Sequence, residues 1–307
     1  MTAIKTEKLT KRYDGVTAVR NLDLSVQEGE VFGFLGPNGA GKSTTINVLL
    51  DFIRPTSGKV SVLGHDPRTE SRTVRDRIGI LPEGYSLYDR LSAREHIEFA
   101  IEMEESENDP DEILARVGLA DEATRSVGGF SKGMGQRLAL GMALLGEPDL
   151  LILDEPTSGL DPSGALEMRQ IVREEVARGA TVFFSSHLLD QVEVICDRVG
   201  IMADGELVAV DSVEGLQKAT GTGSTLILTV DKRPDSLDLE TIEGVTGVTT
   251  DGRTLRVSCS KPGVKAAVIS QVESAGATVT DITTEETSLE DVFAEYTADE
   301  GVMEADT

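Results

Sequence analysis

Apolar and polar positions along this chain follow two rhythms in turn. Up to residue 35, short runs rich in aliphatic and β-branched residues (4–6, 16–19, 22–26 and 31–35) are separated by the turn pairs Asp14-Gly15 and Glu28-Gly29. That spacing predicts an antiparallel sheet leading into one fully apolar strand. Further strands are expected at 59–63, at 78–83 (which ends on a carboxylate), at 150–155 and at 181–185. Helical spacing appears between them. Ser92-Ala93-Arg94-Glu95 is a capping box, and Ile97 and Ile101 lie one turn apart on the helix it opens. Ser186 is placed to cap a helix whose Leu188, Leu189, Val192 and Ile195 share a face. Asp204-Gly205 predicts a hairpin between 199–202 and 207–210. The charged helical span of about 84–129 reads as an insertion between strands of the main sheet, with the acidic run 102–112 as a solvated turn.

The rhythm changes at Gly221-Thr222-Gly223-Ser224, a linker signal. Beyond it the order is strand 225–230, short helix near 236–243, strand 246–250, an Asp251-Gly252 turn, strand 254–259, helix 263–275, strand 277–283. This βαββαβ order predicts a small ferredoxin-like unit. The expected division is therefore a domain over 1–220, a small α+β domain over 221–298 that closes with a helix at 288–296, and an acidic disordered tail over 299–307.

Candidate chemistry concentrates in the first domain. Gly36-Pro37-Asn38-Gly39-Ala40-Gly41-Lys42-Ser43 comes directly after the apolar run 31–35 and fits G-x-x-x-x-G-K-[ST]. In such a loop the glycines let backbone N–H groups face a phosphate, and the helix after it turns its positive end toward the same anion. Lys42 would reach the β and γ phosphates, and the Ser43 hydroxyl would hold magnesium. The run 150–153 stops on Asp154-Glu155, two adjacent acids that are costly in a core without a cation. Asp154 is the candidate for the magnesium shell, and Glu155 the candidate for orienting and deprotonating an attacking water. His187, one of three histidines, comes just after a strand at the edge where ligands of doubly wound sheets collect, so a phosphate contact is expected. By composition Tyr13 reads as an ordinary buried or surface tyrosine.

Charge and length narrow the picture. The 307 residues carry 54 acidic against 29 basic side chains, a net charge of −25 that repels nucleic acid, so no nucleic-acid partner is expected. An acid excess spread over the whole chain also resembles the surface of proteins from salt-loving organisms. No apolar run reaches 18 residues and no leader pattern opens the chain, so a cytosolic protein is expected. The two cysteines, Cys196 and Cys259, lack metal spacing and read as reduced, packed thiols.

Two further segments make the pattern specific. Phe130-Ser131-Lys132-Gly133-Met134-Gly135-Gln136-Arg137 precedes the acid-ended strand, and Ser158-Gly159-Leu160-Asp161 comes after it. With the phosphate loop, Pro82-Glu83 and His187, the chain resembles the ATP-binding subunit of an ABC transporter over roughly residues 3–215. The resemblance implies an α/β ABC-type P-loop ATPase, with a parallel core sheet, an antiparallel β subdomain and the helical insertion, ahead of the ferredoxin-like domain. It implies ATP and Mg2+ as ligands. Gly36 to Ser43 together with Thr44 would hold the nucleotide, Tyr13 would stack on adenine, and Ser43, Asp154 and Glu83 would face the metal. Catalysis would fall to Glu155, His187 and Glu83. Ser131, Lys132 and Gly133 would touch the ATP of a second cassette across a dimer loop of Ser158 to Asp161. Two departures stand out: Lys132 and Met134 replace a glycine and a glutamine of the usual signature, and Glu83 stands where many members carry glutamine. The partners implied are a separate transmembrane permease, contacted through the insertion, and a second cassette, at the cytoplasmic face of the membrane. The closing Ser288-Leu289-Glu290-Asp291-Val292-Phe293 is similar to drug-efflux and drug-resistance ATPases. A translation or DNA-repair ATPase and a non-hydrolysing nucleotide-binding module are the alternatives.

Overall fold

The computed structural model describes residues 1–219, 224–232, 238–259, 263–286 and 293. In place of several short runs, the first residues form two long antiparallel strands, β1 (Thr2–Tyr13) and β2 (Val16–Gln27). Left-handed residues at Lys8 (φ 48°) and Asn21 (φ 47°) accompany breaks in their register, so strands interrupted in the apolar pattern still pair as one ribbon. The chain continues through β3 (Val31–Leu35), α1 (Lys42–Leu49), β4 (Ser57–Val62), α2 (Ser71–Arg75) and β5 (Ile78–Leu81). The insertion carries α3 (Ala93–Glu104), α4 (Pro110–Arg116) and α5 (Lys132–Ala143). The main body is completed by β6 (Leu150–Asp154), α6 (Pro162–Ala177), β7 (Thr181–Ser186), α7 (Leu189–Ile195), β8 (Arg198–Ala203) and β9 (Glu206–Ser212).

Two sheets result. β2-β1-β4 is antiparallel, and the larger sheet runs β5-β6-β7-β3-β8-β9, parallel wherever β5, β6, β7, β3 and β8 meet. The central strands β3, β6 and β7 are buried along their whole length, as continuous apolar runs require when a sheet is covered on both faces. Phe32 and Phe183 stack with ring centroids 5.9 Å apart in a core shared with Ile4, Leu22 and Leu24 of the antiparallel sheet. Both residues of the Asp204-Gly205 hairpin have positive φ, 45° and 84°, the geometry of a tight two-residue turn.

The capping box forms as expected, with the Glu95 N–H donating to Ser92 Oγ and the Ser92 N–H to the Glu95 carboxylate. The acidic run is less of a turn than expected. α3 extends through Glu104, and Asp109 caps a new helix with Pro110 in its first turn, so charge on an exposed face coexists with helix. The helix after β7 begins two residues later than expected. Ser186 Oγ accepts the Leu188 N–H at 3.0 Å and closes a local turn rather than capping the helix, whose N-cap is Leu188.

The chain divides into two compact units, residues 1–210 and residues from 211 onward. The second opens with α8 (Val213–Ala219) and contains β10 (Ser224–Val230), β11 (Val245–Asp251), β12 (Thr254–Cys259), α9 (Val264–Ser274) and β13 (Val279–Glu286). The strands form an antiparallel sheet in the order β11-β12-β10-β13, the order of a ferredoxin-like unit, over a core that includes Leu228, Val257 and Val268. The short helix predicted near 236–243 is not seen over 238–243. Thr241 Oγ1 donates to the Asp238 carbonyl and successive i to i+3 turns come next, a local bond that competes with helix. Residues 221–223 of the expected linker, the closing helix apart from Phe293 and the acidic tail lie outside the described residues. Both cysteines are buried and unpaired, and burial pushes both thiols up.

Candidate active site

Because β3, β5, β6 and β7 run parallel, the segments leaving their carboxyl ends collect on one edge of the sheet. The phosphate loop leaves β3 there. Gly39 (φ 88°) and Gly41 (φ 104°) take left-handed conformations, and a Cβ on Gly41 would stand 2.4 Å from the Ala18 carbonyl oxygen. The loop is held from outside as well. The Gly205 N–H at the hairpin tip donates to the Ala40 carbonyl at 3.1 Å, while the Gly205 carbonyl accepts the Arg20 N–H at 2.7 Å.

Lys42 opens α1 and is buried. Its Nζ donates to the Gly36 carbonyl at 2.7 Å and lies 3.7 Å from Glu155 Oε1. Glu155 stands directly after β6, is only 6% exposed, and takes a left-handed φ of 52°. Its other carboxylate oxygen is 2.8 Å from His187 Nδ1. Ammonium, carboxylate and imidazole thus form one line across the edge. Asp154, the last residue of β6, is buried and accepts the Ser185 hydroxyl proton. Burial pushes its carboxyl above the usual range, the Ser185 bond works against that, and Glu83 and Glu155 add repulsion that Lys42 offsets only in part.

A cleft of about 140 Å³ opens here, lined by Pro37, Asn38, Gly39, Gly41, Lys42, Ser43, Thr44, Glu83 and Glu155, with Ala18 at its margin. Three acids share one ammonium, so the edge is short of positive charge, and its donors are oxygens, a set that fits a hard divalent cation such as magnesium. Among the described residues no group of three or more His, Cys, Asp or Glu could hold a metal alone.

The other expected site residues lie outside this cleft. Tyr13 stands 43% exposed at the end of β1 with the Lys11 ammonium 4.6 Å from its ring centroid. Ser131 caps α5, its Oγ accepting the Met134 N–H, and Gly133 has Leu160 and Gly164 as neighbours. The Lys132 side chain lies across Gly159, where a Cβ would meet its Nζ at 2.3 Å. Ser158 to Asp161 form a tight turn in which Ser158 N–H donates to the Glu155 carbonyl and Asp161 caps α6. The signature and dimer-loop residues therefore neighbour each other, and none of them lines the cleft.

Two contributors are not evident from sequence. Ser185, the first of two buried serines that end the apolar run 182–184, joins both acids; polar residues at a buried strand end were the available signal. Glu175 of α6 is buried and pairs with Arg116 of α4 and Arg178, tying the insertion to the core. Nothing in its spacing marks it.

The fold and this edge define a phosphate-loop nucleotide-binding protein. A family model described as ABC transporter matches residues 19–158, and one described as ATP-binding protein DrrA1-3-like, C-terminal domain, matches residues 212–297. The bacitracin transport ATP-binding protein BcrA of Bacillus licheniformis is 44% identical over 71% of this chain and 72% of its own length. The daunorubicin resistance ATP-binding protein DrrA3 of Streptomyces coeruleorubidus is 34% identical over 97% of both chains. Among solved structures, an ATP-binding subunit of an ABC transporter superposes with a TM-score of 0.64 at 29% identity, covering 72% of this chain and 94% of the other. The dimeric post-hydrolysis state of the cassette MJ0796, bound to ADP and Pi, gives 0.60 at 25% identity, covering 68% and 98%. The chain belongs to the ATP-binding subunits of ABC transporters, a family that hydrolyses ATP to power transport, and it carries the DrrA-like C-terminal domain.

Proposed function

We propose that this chain is the ATPase subunit of an exporter, pairing with a second cassette and with a separate membrane permease at the cytoplasmic face. The observation that carries the reading is the line from Lys42 through Glu155 to His187 beside Asp154, on the edge where the phosphate loop opens. Lys42 and the loop amides bind the phosphates and offset charge that grows as the terminal phosphoryl leaves. Glu155 takes the proton of the attacking water, and His187 holds Glu155 in place while its exposed side meets the γ-phosphate. Ser43 and Asp154, with Glu83 nearby, would hold magnesium, which would supply further charge neutralisation at the phosphates.

Ser131, Lys132 and Gly133 lie away from the cleft of their own chain, which suits a contact to the nucleotide of a second cassette through the turn at Ser158 to Asp161. ATP bound between two chains adds contacts that exist only in the closed pair, so binding drives closure and hydrolysis reverses it. Among the described residues no helix is long and apolar enough to cross a membrane, so translocation falls to the permease. Export is favoured because relatives are named for antibiotic resistance and fluoroquinolone export. None of these names points to translation or DNA repair. The net charge of −25 suits a salt-rich interior, where counterions screen self-repulsion.

The test is Mg2+-dependent phosphate release by the purified chain over a range of KCl concentrations, with and without membranes holding a candidate permease. Turnover that needs magnesium and rises with the permease is expected. A folded chain that binds no ATP under any of these conditions sinks the reading.

A further inference from the structure

The acid-bearing edge depends on a side chain to which the hydrolytic scheme gives no task. Ser185 is 0% exposed and stands directly opposite Asp154 in the parallel pairing of β6 and β7. Its hydroxyl donates to Asp154 Oδ1 and accepts the Glu155 N–H at 3.1 Å, while the Ser185 carbonyl lies 3.2 Å from the same N–H. A serine hydroxyl has one proton to give, and here it goes to a carboxylate. The adjacent Ser186 points to the opposite face and closes the turn into α7, so the two serines are not interchangeable.

The arrangement has two effects. Asp154 Oδ1 is engaged by the Ser185 hydroxyl, which leaves Oδ2 without that bond. The Glu155 backbone, in a left-handed conformation that a residue with a side chain rarely takes, is fixed through its N–H, so the carboxylate stays between Lys42 and His187.

We propose that Ser185 is a positioning residue that separates the tasks of two neighbouring acids, presenting one oxygen of Asp154 to a divalent cation and anchoring Glu155 for the attacking water. The proposal rests on the reading of this edge as a magnesium–nucleotide site. Removing the hydroxyl leaves the phosphate loop and Lys42 untouched, so nucleotide held without metal and metal held beside nucleotide should respond differently.

The experiment compares wild type with Ser185→Ala. Affinity for a fluorescent ATP analogue is measured in EDTA, and Mn2+ affinity of the complex with a non-hydrolysable ATP analogue by electron paramagnetic resonance. Loss of a bond that orients a metal ligand typically weakens metal binding about 10- to 100-fold, and that loss is expected, with nucleotide affinity in EDTA kept within about twofold. The Mg2+ concentration for half-maximal turnover should rise in step. Should the alanine variant not fold, Ser185→Cys, a weak donor of similar volume, carries the same expectation. Mn2+ affinity within about twofold of wild type in a folded variant overturns the role of Ser185. A wild-type chain that binds no nucleotide fails the underlying reading instead, so the two failures are told apart.

Discussion

Glu155→Gln separates binding from chemistry at this site. Glutamine keeps the volume and a polar contact for His187, so packing around the 6%-exposed side chain is retained. The change removes a negative charge 3.7 Å from Lys42 Nζ; at an effective dielectric of about 20 the raw attraction there is about 4.5 kcal/mol, much of it offset by desolvation of both groups. A phosphate must compete with that carboxylate for the ammonium. ATP affinity in the variant should therefore equal or exceed that of wild type. Turnover should behave oppositely, because an amide cannot take a proton. A general base contributes about 10²- to 10⁴-fold, or about 3–5 kcal/mol of barrier, and kcat should fall by that factor. The assay pairs phosphate release with equilibrium binding of a fluorescent ATP analogue and size-exclusion chromatography in ATP, where the variant should persist as a dimer. A kcat within about threefold of wild type, with binding intact, refutes the base assignment.

The same geometry sets other expectations. Lys42→Ala leaves Asp154, Glu83 and Glu155 without their ammonium, and equilibrium binding should show ATP affinity at least about 10- to 100-fold weaker, the worth of a charge-assisted bond. Gly41→Ala forces a side chain into φ 104° and against the Ala18 carbonyl; it should cost upward of about 1–2 kcal/mol at the loop and weaken nucleotide binding in the same assay. Glu175→Ala strands Arg116, only 14% exposed, and urea unfolding should show a loss of about 3–5 kcal/mol. Cys196, whose thiol burial raises, should stay inert to a thiol-disulfide reagent at pH 8 until the chain unfolds.

Much of the site was legible because its chemistry is local in sequence. The phosphate loop needs glycines at fixed spacing, and Asp154-Glu155 announces itself as two acids ending an apolar strand. The hairpin at Asp204-Gly205 and the capping box at Ser92 were equally plain, since each depends on a few adjacent residues. What stayed hidden was relational. Ser185 acquires meaning only when β7 lies beside β6, and Glu175 only when Arg116 of α4 reaches it. The length of β1 and β2 was masked by left-handed residues at Lys8 and Asn21 that break the alternation without ending the pairing. Over 238–243 the expected helix gives way where the Thr241 hydroxyl captures a carbonyl, a competition that periodicity does not register.

The brace between Gly205 and Ala40 bears on how the protein is made. β3, which launches the phosphate loop, takes both of its hydrogen-bonding neighbours, β7 and β8, from chain that emerges from the ribosome long afterwards, and the Ala40 carbonyl meets its donor only once residue 205 has been synthesised. Nascent chains stalled before the β8–β9 hairpin hold the whole motif yet lack its finished frame. Nucleotide capture should thus begin late in translation, when the last strands close around a sequence that was among the first to appear.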